Sequence, residues 1–463
     1  MKEIIKQILQ SWNNRDGNVN STQDIILWIE KLNKETFVDI KECKISDSTF
    51  WFYDDYNGEI LNRKRSFFSV KGMRHFVDDE FICEQPMIIQ PEIGYLGIIC
   101  KVINGELNFL MQAKIEPGNV NCVQISPTIQ ATKSNFTRAH GGKLPTYFEY
   151  FENSRQYTVL YDQIQSEQSA RFYKKRNRNM IMLIEDEIQV YDNYKWMTLG
   201  QIKELMKIDN LVNMDTRTVL SGIPLITAQF DAGDFKELKS YFSEREFFAS
   251  VYETDIMEEL AQIYQYMNNY KMFHEVKTKP VPLNELVDWR VDDYGVTCKK
   301  SSNFMVRFYD ISISGREVQN WTQPLFKANG QAVFGLICCR ENGVYKYLVT
   351  PRAELGSFDK LELAPSIQKE PIEVASLQNP VEHLFEQKLS QKKGILLDVL
   401  LSEEGGRFYH EQNRNVILEI DKEELSTLPE GYFWVSFRTL NYLVQVNNCL
   451  NIQLRNLLSL LKI

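Results

Sequence analysis

Between positions 131 and 143 the chain reads Ala131-Thr132-Lys133-Ser134-Asn135-Phe136-Thr137-Arg138-Ala139-His140-Gly141-Gly142-Lys143. Three hydroxyls, an amide and three cations in thirteen residues are the equipment for receiving an anion. Lysine offers a point charge, and arginine can grip a diphosphate with two parallel N–H donors. A solvated polar loop is the plainer alternative. A second basic run, Lys174-Lys175-Arg176-Asn177-Arg178, reads most simply as a solvated face. Trp51 and Trp289 could each stack on a base or sugar, although core packing serves either equally well.

Other chemistries lack their residues. The eight cysteines include no Cys-x-x-Cys pair and have no histidine at ligand spacing, and the five histidines are scattered. No acidic run matches a calcium or magnesium loop, so no metal is expected. Most cysteines sit in apolar runs such as Leu336-Ile337-Cys338-Cys339, as small core residues do.

The elements that must position these groups occur twice. Lys114-Ile115-Glu116-Pro117-Gly118 leads into Gln124-Ile125-Ser126-Pro127-Thr128-Ile129-Gln130, and Arg352-Ala353-Glu354-Leu355-Gly356 leads into Glu362-Leu363-Ala364-Pro365-Ser366-Ile367-Gln368. The offset is 238, from 352 against 114 and from 368 against 130. Gln85-Pro86 answers Gln323-Pro324, Trp196 answers Trp434 and Asn213 answers Asn451 at the same offset. Arg171-Phe172-Tyr173 with Asn177-Arg178-Asn179 pairs with Arg407-Phe408-Tyr409 with Asn413-Arg414-Asn415 at 236. A unit this long is a duplicated domain rather than a solenoid repeat, and each copy is expected to fold its own core. The copies diverge after their shared Ile-Gln: Thr132 becomes Glu370, Lys133 becomes Pro371, Asn135 becomes Glu373, Arg138 becomes Ser376 and His140 becomes Gln378. One copy is equipped for an anion and the other is not.

The 463 residues, 43% hydrophobic and 25% charged, suit two packed globular units. A net charge of −9 argues against nucleic acid as a partner, since phosphate neutralisation needs a dominant basic surface. No apolar run is long enough for a membrane span and no cleavable leader is evident, so a cytoplasmic protein is expected. The first 36 residues read as one or two helices. Short aromatic or β-branched runs at 50–53, 67–70, 95–102 and 107–113 read as strands, bounded by Asn57-Gly58, Lys71-Gly72 and Asn104-Gly105. Asn104-Gly105 and its copy Asn342-Gly343 predict two-residue hairpins. Helical spacing is expected over 199–220, 255–273 and 440–461, and Lys279-Pro280-Val281-Pro282 breaks the chain between halves. The expectation is α+β: 1–221 as the first repeat with its opening helices and the active site, 222–282 as a helical linker, and 283–463 as the second repeat. Each is a curved, mixed or antiparallel sheet with flanking helices.

Gln112-Ala113-Lys114, Glu116-Pro117-Gly118, Gln124, Ser126-Pro127-Thr128, Gln130-Ala131-Thr132 and Ser134-Asn135-Phe136-Thr137 together resemble the signature of the NDP-hexose 2,3-dehydratases of deoxysugar biosynthesis. Phe67-Phe68-Ser69-Val70-Lys71-Gly72 and the weaker second Glu-Leu-Ala-Pro-Ser-Ile-Gln fit the same pattern. The resemblance implies two Nudix-like domains, a homodimer, no cofactor and a nucleotide-sugar substrate, with dTDP the expected carrier. The Gly, Glu and Arg-Glu box of Nudix hydrolases is missing, against diphosphate hydrolysis. The implied reaction removes water across carbons 2 and 3 of a 4-keto-6-deoxyhexose, which needs a base near carbon 3, a donor for the enolate oxygen and an acid for the leaving hydroxyl. His140 is the first candidate for the base because histidine titrates near neutrality, with Tyr147, Lys114 and Glu116 as the other nearby titratable groups. Thr128, Gln130 and Tyr147 are candidate donors. Trp51, Lys114, Thr132, Lys133, Ser134, Asn135, Thr137, Arg138, Trp289 and Arg352 form the expected substrate-binding set. A binding protein that holds a nucleotide sugar without chemistry is the alternative.

Overall fold

The computed structural model of the protein describes residues 1–136, 144–316, 318–376 and 378–463. Over these residues each half contains a seven-stranded sheet, and two five-stranded sheets complete an α+β architecture. In the first half the spatial order is Thr158–Ser166, Arg176–Leu183, Ile93–Ile103, Glu106–Ile115, Tyr194–Met197, with Val123–Ser126 and Ile129–Ala131 added beside the two central strands. Arg176–Leu183 runs parallel to Ile93–Ile103 and the remaining pairs are antiparallel. The second half repeats this plan, with Gln412–Ile420 parallel to Val333–Glu341.

The Asn-Gly hairpins form as expected. Asn104 and Gly105 have φ of 51° and 81°, and Asn342 and Gly343 have 51° and 75°, the doubly left-handed geometry of a type I′ turn. Lys71-Gly72 is not a turn. Both residues lie within the strand Ser69–Val77, and Gly72 is needed there because a Cβ would crowd the Val281 carbonyl and the Leu286 side chain. The helix expected over 199–220 is two helices, Leu199–Leu205 and Met214–Leu220. Asn213 separates them: its backbone is extended and its side chain accepts the Thr216 amide at 2.8 Å as an N-cap. Asn451 does the same for Ile452–Ser459, accepting the Leu454 amide at 3.0 Å. The repeated asparagine is thus a helix start.

The two halves exchange strands. Val38–Glu42 pairs antiparallel with Phe304–Ile313 of the second half, Val38 opposite Ile313. Val276–Val281 pairs antiparallel with Ser69–Val77 of the first, Val276 opposite Val77. The stretch expected as a helical linker therefore holds the helices Ala232–Lys239, Arg245–Tyr252 and Met257–Phe273 and ends in a strand. That strand lies at the sheet edge, where Pro280 can be accommodated although it has no N–H to donate.

The expectation of one separate core per copy is corrected as well. Each half keeps an outer cluster of its own, around Leu110, Phe151 and Met182 in the first and Leu348, Phe385 and Leu418 in the second. The largest cluster runs through both, from Ile98 and Phe109 through Val219 to Leu336, Leu454 and Leu457. The cause is the closing helices Met214–Leu220 and Ile452–Ser459, which pack on one another between the sheets. Among the described residues no helix is long and apolar enough to cross a membrane.

Candidate active site between the halves

The repeated Glu-x-Gly after the strand Glu106–Ile115 is a docking device. Gly118 donates its amide to the carbonyl of Gly405 at 2.7 Å and accepts the His410 amide at 2.8 Å. A Cβ on Gly118 would overlap the Phe408 carbonyl oxygen. The other copy mirrors this: Gly356 donates to Ser169 at 2.9 Å, accepts the Lys174 amide at 2.8 Å and leaves no room beside the Phe172 carbonyl. Each half thereby presses its Glu-x-Gly loop onto the Arg-Phe-Tyr loop of the other half, and the glutamate lands in the interface. Buried arginines strengthen the joint: Arg217 donates to the Ser402 carbonyl at 2.9 Å, and Arg455 to the Thr218 hydroxyl at 2.8 Å and to the Ser166 carbonyl.

Around Glu116 this docking assembles four carboxyl groups from three stretches of the first half and one of the second. Glu116 is paired with Lys114 at 3.1 Å and accepts Gln130 Nε2 at 3.2 Å. Asn213 donates to Gln130 Oε1 at 3.3 Å and to Ser126 Oγ at 2.8 Å. Asp215, two residues into the same helix, is 2% exposed, and its Oδ1 has no partner. Glu167 accepts the Asn177 side chain, and its Oε2 is also without a partner. Glu404 and Arg407 come from the second half; Arg407 donates to Gln90 Oε1 at 3.3 and 3.1 Å and lies 4.3 Å from the Phe68 ring centroid. Lys175 closes one side by donating to the Glu92 carbonyl at 2.6 Å. Lys114, Gln130, Thr132, Glu404 and Arg407 are partly exposed, so the cluster opens to solvent along that edge.

Like charges in a dry site cannot all ionise. Burial, then repulsion by Glu116, pushes Glu404 up to about 8. Burial, then Glu167, Glu404 and Glu116, raises Asp215 well above the carboxylate range, and burial raises Glu167. Burial acts on Glu116 too, but Lys114, Arg316 and Arg407 outweigh it and hold this carboxyl below its ordinary value. The arrangement sets one carboxylate held below its ordinary value beside carboxyls pushed toward their protonated forms, the pattern that separates a base from an acid. Among the described residues no three His, Cys, Asp or Glu side chains converge as metal ligands do.

The second copy keeps the frame and loses this pattern. Gln368 donates to Glu354 at 2.8 Å and Asn451 to Gln368 at 2.8 Å, as in the first. Gln453 stands for Asp215, Gln168 for Glu404 and Glu411 for Lys175. Glu370, where the first copy has Thr132, pairs with the buried Arg171 at 2.6 Å. Burial raises Glu354 above its ordinary value, where Glu116 is lowered.

Of the residues singled out from sequence, the structure brings Lys114 and Gln130 into the cluster, with Thr132 at its edge. Thr132 N and Oγ1 meet Asn135 Oδ1 at 3.1 and 2.6 Å. Lys133 and Asn135 are exposed on the same short turn. Arg352 lies in the second copy and donates to the Gln368 carbonyl at 2.8 Å. Thr128 accepts the Ile99 amide at 2.9 Å and donates to the Leu110 carbonyl at 2.5 Å, a clamp that Ser366 repeats between Ile337 and Leu348. Tyr147 donates to the Gln189 carbonyl at 2.7 Å within the outer aromatic cluster, and burial pushes its hydroxyl up to about 12. Trp51 and Trp289 are 3% and 5% exposed and packed against Phe68 and Phe304, the rings under Arg407 and Arg171. Thr137, Arg138 and His140 lie outside the described residues, as does the side chain of Ser134. Asp215, Glu167, Glu404 and Arg407 were not singled out. Their signal is in the repeat, where Asp215 against Gln453 and Glu404 against Gln168 are charge differences inside otherwise matched stretches.

The sequence profile of the NDP-hexose 2,3-dehydratase family matches residues 22–223 and again 260–461, the same 238-residue displacement at both ends. The chain is similar to three proteins described as dTDP-4-dehydro-6-deoxy-alpha-D-glucopyranose 2,3-dehydratase. The one from Saccharopolyspora spinosa is 34% identical over 95% of this chain and 90% of its own length. That from Amycolatopsis orientalis is 32% identical over 96% and 91%. That from Streptomyces violaceoruber is 33% identical over 91% and 92%.

Proposed function

The chain belongs to the NDP-hexose 2,3-dehydratase family, and from that premise we propose that its substrate is dTDP-4-keto-6-deoxyglucose and that water is lost at the Glu116 cluster. The enzyme is a hydro-lyase of deoxysugar biosynthesis. The ketone at carbon 4 acidifies the proton on carbon 3, and the ionised Glu116 takes it. The C–H electrons move into the C3–C4 bond and charge the carbonyl oxygen, which the cations Lys114 and Arg407 stabilise. The enolate then expels the hydroxyl from carbon 2, and Glu404, protonated near neutrality, supplies the proton that makes it leave as water. The enol formed takes a proton at carbon 2 and becomes the 3,4-diketo-2,6-dideoxy sugar, with no net change in electrons. Asp215 is the neighbouring buried acid that can return a proton to Glu404.

The observation that carries this reading is the docking, across the two halves, of the loop bearing Glu116 on the loop bearing Glu404 through the 2.7 Å hydrogen bond from the Gly118 amide to the Gly405 carbonyl, with the first carboxyl held below its ordinary value and the second pushed up to about 8. Lys133, Ser134, Asn135, Thr137 and Arg138 take the diphosphate, supported by the position of Thr132 two residues beyond Gln130 at the open edge. His140 then contacts sugar or diphosphate, while Thr128, Tyr147, Trp51 and Trp289 act as scaffold. Two Nudix-like halves, 1–221 and 283–463 about the connecting 222–282, in a cytoplasmic homodimer complete the reading. The seven-stranded mixed sheets support the halves, and sedimentation velocity tests the dimer. Mass spectrometry of dTDP-4-keto-6-deoxyglucose incubated with the enzyme and an NADPH-dependent ketoreductase tests the reaction. Loss of one water is expected; intact substrate would leave only the binding protein.

A further inference from the structure

The two copies differ in the hairpin that precedes the core sheet. In the first half Ser69–Val77 and Glu80–Ile89 are joined by Asp78 and Asp79 alone. Asp78 is used locally, pairing with His274 at 2.6 Å and accepting the Glu275 amide at 2.8 Å. In the second half Phe304–Ile313 and Asn320–Ala328 are joined by a longer connection, which carries Arg316. From it Arg316 crosses to the first half and donates Nη1 to the Ile115 carbonyl at 3.0 Å, immediately before Glu116.

The same hairpin reaches the acid. The Arg316 guanidinium lies 5.1 Å from the Trp321 ring centroid, Trp321 Nε1 donates to Gln323 at 2.8 Å, and Gln323 donates to the Gly406 carbonyl at 2.9 Å, two residues after Glu404. The last step has a copy in Gln85, which donates to the Ala170 carbonyl at 2.7 Å. The first two steps have none, since Cys83 stands in the place of Trp321 and the short turn offers no arginine.

Glu116 is faced by Lys114 from its own strand, by Glu404 and Arg407 from the 403–408 loop and by Asp215 from the helix Met214–Leu220, with Glu167 behind Asp215. Arg316 is the cation the hairpin adds. Resting on the reading of Glu116 as base, we propose that Arg316 is a positioning residue for it: an arginine carried only by the longer connection of the second half fixes the place and the surroundings of the carboxylate that works in the first. Glu354, which has Arg352 beside it, no such hairpin cation and Glu370 as an added like charge, shows the other outcome, a carboxyl driven toward its neutral form by burial and then by Glu370.

The test is the pH profile of kcat/KM in the full-length enzyme, with kcat and KM resolved separately. Arg316→Met is expected to move the acid limb up by about one pH unit, with kcat/KM about ten-fold lower below the limb and near wild type on the plateau above it. Arg316→Lys, which keeps the charge, should retain the wild-type limb. If the methionine variant is unstable, Arg316→Gln keeps a donor for the Ile115 carbonyl without the charge and should shift the limb equally. An unmoved limb, or a loss confined to KM, would overturn the proposal, as would equal shifts in the lysine and methionine variants. The two readings separate cleanly: full turnover in Glu116→Gln removes the base itself, whereas an inactive Glu116→Gln with an unmoved Arg316→Met limb removes only the role of Arg316.

Discussion

Gly118 and Gly405 are joined by one amide-to-carbonyl hydrogen bond of 2.7 Å, and that bond ties the loop carrying Glu116 to the loop carrying Glu404. Neither loop belongs to the other's half. The proposed catalytic pair therefore comes together only while the halves are docked, and the strands exchanged at Val38–Glu42 and Val276–Val281 hold them so.

Gly118→Ala should disturb both folding and turnover, because the added methyl has only the Phe408 carbonyl to occupy. A loss of about 1 to 3 kcal/mol is expected from denaturant unfolding, the range for overpacking. Gly356→Ala meets the same obstacle at Phe172 and should cost similar stability. Its kcat should fall less, since the proposed base lies in the first copy. Equal losses of kcat at the two glycines would contradict the asymmetry.

Much of this frame was legible in sequence because it is local. Asn104-Gly105 dictates its own hairpin, and Asn213 and Asn451 match at the repeat offset, although their role as helix starts that break 199–220 and 440–461 emerged only in the structure. The strand exchange was not legible, since Val38 and Ile313 meet through long-range pairing that neither flanking sequence records. Thr128 illustrates the converse difficulty: a hydroxyl in a motif suggests chemistry, and only the structure shows that it and its repeat partner Ser366 each bridge two strands. Glu116 and Glu404 come from different halves, so no spacing rule could join them. The mismatch of Glu404 with Gln168 is the trace they leave.

Glu404 should make stability fall as pH rises. Its folded value, about 8, lies above the unfolded value, so the folded state binds the extra proton. The stabilisation is complete below the ordinary glutamate range and is lost as pH climbs through 8. Glu404→Gln is therefore expected to raise the thermal midpoint relative to wild type at pH 8 and to change it little at pH 4.5. A variant less stable than wild type at pH 8 would contradict the raised value.

The diphosphate should be read by the first copy alone. Arg138→Ala is expected to weaken dTDP binding by about 1.5 to 3 kcal/mol in titration calorimetry, the range for a hydrogen bond to a charged group. Ser376→Ala, at the equivalent position, should change it little. Equal effects at both positions would assign the nucleotide to both copies.

His140→Gln separates the two candidate bases. With Glu116 as base, the variant should retain carbon 3 deprotonation and lose affinity at most. If histidine were the base, turnover would fall about a hundredfold with nucleotide binding intact. Steady-state kinetics beside calorimetry distinguishes these outcomes.

Hydrogen exchange at carbon 3 of dTDP-4-keto-6-deoxyglucose in deuterated solvent, followed by NMR and mass spectrometry, tests the paired carboxylates most directly. Wild type should release water and leave deuterium at carbon 2 of the product. Glu404→Gln should still exchange the carbon 3 proton yet form almost no product, because the base remains and the acid is gone. Glu116→Gln should do neither. Dehydration at the wild-type rate in Glu116→Gln, or loss of carbon 3 exchange in Glu404→Gln while Glu116→Gln retains it, would contradict a base in the first half working with an acid from the second.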